Sequence, residues 1–114
     1  MEVRRGEVYS ADLNPVVGTE QAGARPVLVV QIDRANAASP HTLVVPFTTR
    51  IREPVLPSHV KMSAGVGGLV EDSVLLCEQV RVIDKRRLVR RMGVVGRDDM
   101  QKVTVGLKTI MGLE

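Results

Sequence analysis

The chain has 114 residues, 44% of them apolar, and a formal net charge of +3. That length suits one domain spanning 1–114 with a single modest core, and the apolar content excludes a disordered chain. No apolar run reaches the ~18–20 residues of a membrane span. The opening MEVRRGEVYSADL lacks the apolar stretch of a secretory signal, and the one cysteine, Cys77, cannot close an internal disulfide. A reducing, cytoplasmic setting away from membranes is therefore expected.

In chain order, Glu7 to Leu13 alternates weakly and predicts a strand, ended by Asn14-Pro15. Pro26 to Ile32 (PVLVVQI) is a β-branched run that predicts a buried strand. Asp33 to Pro40 reads as a loop with room for one helical turn. Thr42 to Thr49 predicts a strand whose Pro46 suggests an edge position or a bulge. A charged, proline-bearing loop from Arg50 to Pro57 leads to a short strand at Ser58 to Met62. Ser63 to Asp72 is glycine-rich and turn-like. Ser73 to Ile83 predicts one long strand, followed by a helical turn over Asp84 to Arg91. After Gly96, Met100, Val103, Leu107, Ile110 and Met111 fall at helical spacing, with Asp98 and Asp99 near the helix start where they complement its dipole. Gly106 and Gly112 are expected to weaken this helix locally. The fold class is mainly β with a C-terminal helix, as a strongly bent sheet or partly open barrel.

Charge is uneven. Between Arg81 and Arg97 seven basic residues face one acid, Asp84, a local +6 that leaves −3 for the rest of the chain. Such a segment suits either a polyanionic partner or a solvated surface. Tyr9 and Phe47 are the only aromatic residues. A platform that stacks bases on several rings is thereby excluded, and any nucleic-acid contact must come from arginine, polar loop groups and backbone.

Metal ligation is not expected. His41 and His59 stand eighteen residues apart, with no C-x-x-C, H-E-x-x-H or aspartate cluster. No phosphate-cradling G-x-x-x-x-G-K-S/T loop is present, so no cofactor is expected. Cys77, inside an apolar strand, reads as a small core residue. Arginines and hydroxyls remain. Arg25 stands at the mouth of one predicted strand and Thr48 at the end of another, beside Thr49 and Arg50. If those strands are neighbours, both side chains face one cleft, where an arginine fork and a hydroxyl suit a phosphate oxygen. Chemistry alone favours a solvated loop charge at Arg25 and ordinary strand propensity at Thr48.

The motifs RRGEVYSADLNPVVGTEQAGARPVLVVQ, VVPFTT, LPSHV and DSVLLCEQVRVIDKRRL, with the C-terminal helix, resemble the MazF/PemK family of toxin endoribonucleases from end to end. The combination G-x-E-Q-x-x-x-R-P-V-L-V is its most specific element, and the chain is similar to the Gram-positive and mycobacterial branch. The resemblance implies an SH3-like barrel with a C-terminal helix (the MazF/PemK/CcdB plug fold), working as a homodimer. It implies a type II toxin that cleaves single-stranded RNA at a short sequence without metal. It also implies a MazE-like antitoxin whose acidic C-terminal segment occupies the RNA groove. Arg25 and Thr48 match the family's catalytic arginine and threonine. Thr19, Glu20 and Gln21 in the first loop, and Thr49 and Arg50 in the second, match its RNA-contacting loops. Glu78 and Gln79 match residues lining the same cleft, with His59 at its edge. The PemK branch has a histidine in the first loop and an arginine two residues before an acidic residue on the late strand. Here those positions read Thr19, Leu76 and Glu78, so that branch's chemistry does not carry over.

RNA cleavage without metal uses the substrate's own 2′-OH as nucleophile, which selects RNA over DNA. Arg25 suits charge stabilisation better than proton transfer, because a guanidinium has a pKa above ~12. Glu20 has two further roles open to it, orienting Arg25 or accepting the 2′-OH proton. Two rival classes stand beside this one. A CcdB-like gyrase inhibitor acts through a tryptophan-bearing C-terminal tail, whereas this chain has no Trp and reads MGLE there. A non-catalytic RNA-binding module is disfavoured by the scarce aromatics.

Overall fold

The computed structural model describes residues 2–14, 23–51 and 56–113. Seven strands form one antiparallel sheet: β1 (Glu7–Asp12), β2 (Ala24–Val29), β3 (His41–Thr48), β4 (His59–Met62), β5 (Ser73–Leu76), β6 (Arg81–Asp84) and β7 (Leu88–Val94). Helix α1 (Asp33–Ala38) connects β2 to β3, and helix α2 (Arg97–Met111) follows β7. The sheet order is β4-β5-β3-β2-β1-β7, with β6 also on β3. The expected class holds, with the sheet left open between β4 and β7 rather than closed into a barrel. Among the described residues no helix is long and apolar enough to cross a membrane.

The β-branched run of β2 explains the two-sided core. Successive strand residues point to opposite faces. Leu28 enters one cluster with Val8, Val45, Phe47, Val60, Met62 and Leu75, capped by Met100 and Val103 of α2. Val27 and Val29 enter the other with Tyr9, Ala11, Leu13, Val44, Ile83 and Leu88. A strand buried on both faces needs continuous rather than alternating apolarity. Each such Val or Leu contributes about 1.5–3 kcal/mol when fully buried.

Three sequence expectations are corrected, besides the helical turn expected over Asp84 to Arg91, which is confined to a 3-10 turn at Lys85–Arg87 before β7 begins at Leu88. Pro46 is not on an edge strand: β3 pairs with three strands, flanked by β2 on one side and by β5 and β6 on the other. Pro46 is tolerated there because it lies between the stretch paired with β6 (His41 to Val44) and the stretch paired with β5 (Phe47 and Thr48). The long strand Ser73 to Ile83 is broken by a 3-10 turn, Cys77–Gln79. Leu75 pairs with Phe47 and Arg81 with Val44, so six residues of chain step past three of β3 and the surplus is looped out. That surplus presents Glu78 and Gln79. Third, the apolar stripe of α2 stops at Leu107: Ile110 and Met111 are exposed, 45% and 57%.

Candidate nucleic-acid interface

Strand register assembles the site. β2 and β3 pair as Val27↔Pro46, Leu28↔Val45 and Val29↔Val44. Continuing that register two residues outward sets Arg25 across from Thr48. Thr48 in turn pairs with Val74 of β5, and Val74 with Lys61 of β4. Directly opposed residues share a face. Arg25, Thr48, Val74 and Lys61 therefore form one row across four strands, on the face that carries Val27, Val29 and Val44 further along. His59, two residues from Lys61 and opposite Leu76, shares that face.

Thr48 is 7% exposed, and its Oγ1 accepts the Arg50 N–H at 3.1 Å. That bond occupies a lone pair and leaves the hydroxyl proton to be donated. Thr49 and Arg50 follow on the exposed continuation of β3. Arg25 is half-buried at the start of β2, opposite Ala11 of β1. Pro26 fixes the backbone directly after it, and Val27 to Val29 are fully buried. The expected positions Thr19, Glu20 and Gln21 lie outside the described residues.

A second grouping stands at the β4 end. His59 Nε2 is 2.9 Å from Glu78 Oε2, and the Ser58 hydroxyl donates to Glu78 Oε1 at 3.3 Å. His59 Nδ1 accepts the Leu56 N–H at 3.3 Å. An accepting Nδ1 places the ring proton on Nε2, which donates it to Glu78. Gln79 is half-buried on the same 3-10 turn. Behind the turn α2 comes unusually close. A Cβ on Gly106 would lie 2.9 Å from Cys77 Sγ and 3.0 Å from the Ser58 carbonyl. Gly106, expected to weaken the helix, instead permits this contact. Burial pushes the Cys77 thiol up to about 11, in keeping with an inert core residue.

Two residues of this site escaped sequence reading. Lys61 is an exposed cation in the row of Arg25 and Thr48, and only strand register reveals it. Ser58 is 3% exposed beneath Glu78; its hydroxyl beside a predicted cleft histidine was the available signal. Among the described residues no cluster of three His, Cys, Asp or Glu side chains is arranged to hold a metal ion.

Residues 4–111 match the family of PemK-like, MazF-like toxins of type II toxin–antitoxin systems, and the chain belongs to that family. It is 46% identical over 113 residues to Endoribonuclease EndoA of Bacillus subtilis (strain 168), spanning 99% of this chain and 97% of that protein. Its structure is similar to an endoribonuclease of a mycobacterial species in complex with its cognate antitoxin. That likeness has a TM-score of 0.82 at 26% identity, over 98% of this chain and 97% of the other. The fold is also that of MazF from Deinococcus radiodurans, with a TM-score of 0.85 at 24% identity over 99% of each chain.

Proposed function

We propose that this toxin is a metal-independent endoribonuclease acting on single-stranded RNA, with Arg25 and Thr48 as its catalytic pair. The observation that supports the reading is the β2–β3 register, which, continued two residues past its last pair Val27↔Pro46, puts Arg25 and Thr48 at the same end of the two strands. The substrate 2′-OH attacks the adjacent phosphorus, a P–O2′ bond forms and the P–O5′ bond breaks. The products carry a 2′,3′-cyclic phosphate and a 5′-OH, the 2′ proton leaving to solvent and O5′ taking one up. Arg25 binds the charge that grows on the phosphorane oxygens through its fixed fork of donors, and Thr48 donates to the same phosphate. Neither group has to change protonation state. Thr49, Arg50, His59, Glu78 and Gln79 border the row and, with Thr19, Glu20 and Gln21, contact the flanking nucleotides.

The cationic row also suits the acidic C-terminal segment of a MazE-like antitoxin, which would compete with RNA for it. Homodimerisation is favoured by a cross-strand pair of exposed apolar residues, Leu43 (39%) opposite Val82 (57%). Such adjacent apolar surface suits a partner rather than water. The cytoplasm, where RNA and a reduced Cys77 coexist, is the fitting compartment.

The test is incubation with a long single-stranded RNA in EDTA, followed by mapping of the ends. Discrete cuts with 5′-OH and cyclic phosphate termini are expected. RNA that is bound but uncut would replace this reading with the non-catalytic one.

A further inference from the structure

Most of the basic 81–97 segment is engaged within the molecule. Arg86 grips Asp84 in two-point fashion at 3.1 and 2.9 Å. Arg91 Nε donates to the buried Glu7 carboxylate at 2.6 Å, and Lys85 Nζ donates to the Asn36 carbonyl. Arg81 and Arg87 instead converge on one short piece of backbone, the exit of β1. Arg81 Nη1 donates to the Leu13 carbonyl at 3.4 Å. Arg87 Nη1 donates to the Asp12 carbonyl at 3.5 Å and also to the Asn14 carbonyl.

Those three successive carbonyls sit beside the entrance of β2. The Leu13 N–H donates to the Gly23 carbonyl at 3.0 Å, and the Gly23 N–H to Asn14 Oδ1 at 3.1 Å. The β1–β2 ladder then runs Asp12↔Ala24 and Ala11↔Arg25. The strand end that fixes Arg25 is thus itself held from outside by two guanidinium groups. Donors that carry charge make stronger bonds to carbonyls than neutral ones. Both Arg87 bonds leave one nitrogen, Nη1, whose two protons reach carbonyls two residues apart while the guanidinium plane keeps that nitrogen oriented.

We propose that Arg81 and Arg87 are positioning residues for Arg25: by clasping the Asp12–Asn14 carbonyls they set where Arg25 meets the scissile phosphate. This rests on the endoribonuclease reading above. It gives the basic segment a role distinct from a polyanion footprint.

The test compares Arg81→Ala, Arg87→Ala and Arg87→Lys in the full chain, on single-stranded RNA, in wild-type and Arg25→Lys backgrounds. Displacement of a catalytic group by a fraction of an ångström predicts a kcat loss of about tenfold for Arg87→Ala, with KM within about twofold. Arg87→Lys should recover part of that loss. In the Arg25→Lys background the same change should add less than about threefold, because the group it positions is already compromised. The slope of log affinity against log salt should not move. A slope reduced by about one with raised KM would make Arg87 an RNA contact and overturn the proposal. So would the same fold-loss in both backgrounds, or a wild-type rate in Arg87→Ala. Should Arg87→Ala not fold, Arg81→Ala and Arg87→Lys carry the same comparisons. Wild-type protein that cleaves no RNA would defeat the endoribonuclease reading itself; cleavage unaltered in these variants would defeat only the positioning role.

Discussion

His59 and Glu78, nineteen residues apart in sequence, are joined by a 2.9 Å bond between Nε2 and Oε2. The link ties the start of β4 to the 3-10 turn after β5. It is braced twice, by the Leu56 N–H on His59 Nδ1 and by the Ser58 hydroxyl on Glu78. The pair lies on the edge of the cationic face, away from the Arg25–Thr48 position. On the proposed reading the pair orders the binding surface rather than acting in the chemical step.

Glu78→Ala should raise KM for RNA by about tenfold while kcat stays within about twofold, the signature of lost uniform binding. Ser58→Ala removes one donor to a part-buried carboxylate and should have a smaller effect of the same kind. Steady-state kinetics on one RNA substrate checks both.

Lys61 shares a row with Arg25 and Thr48 through Val74. Lys61→Gln should lower the salt-dependence slope of RNA binding by about one and weaken binding evenly across RNA sequences. Binding isotherms at several salt concentrations give the slope.

Two glycines allow close approach where a side chain would collide. A Cβ on Gly93 would lie 2.6 Å from the Gly67 carbonyl carbon, and one on Gly106 would meet Cys77 and the Ser58 carbonyl. Gly93→Ala should destabilise the fold by about 1–3 kcal/mol, since it pushes on backbone that cannot yield. Gly106→Ala should cost a similar ~1–3 kcal/mol and also disturb Glu78 through the 77–79 turn. Denaturant melts measure the first effect, and KM reports the second.

Burial raises the Cys77 thiol to about 11. The folded protein therefore keeps this proton over a range where the unfolded chain, with a thiol near ~8.5, has lost it. Stability should fall as pH rises from about 9 to 11, because the folded state binds more protons there. Cys77→Ala should flatten that part of the stability curve. Urea midpoints across the range supply the comparison.

Much of the architecture was legible in the sequence because it depends on local pattern. The glycine-rich turn and the start of α2 read correctly, and the β2 run is a strand, set a few residues earlier than expected at Ala24–Val29 rather than Pro26 to Ile32. The errors have physical causes. Pro46 signals an edge only when a strand has one neighbour along each side; β3 changes neighbours at that residue. The stretch from Ser73 to Ile83 has strand composition throughout, yet matching β3 requires surplus chain, and periodicity carries no information about a partner's length. For the site, Arg25 and Thr48 stood out as strand-end groups, but only the β2–β3 register puts those two strand ends side by side. The basic segment was visible as charge, while its engagement with the β1 exit depends on contacts about seventy residues distant.

The most direct measurement is the single-turnover cleavage rate of Arg25→Lys, with RNA binding measured on the same variant. This substitution keeps the positive charge and removes the fork. The account predicts a rate lower by about 10²–10³-fold, with RNA affinity little altered, as when one transition-state donor is lost. A near-wild-type rate would contradict the assignment of Arg25 as the group that steadies the phosphorane.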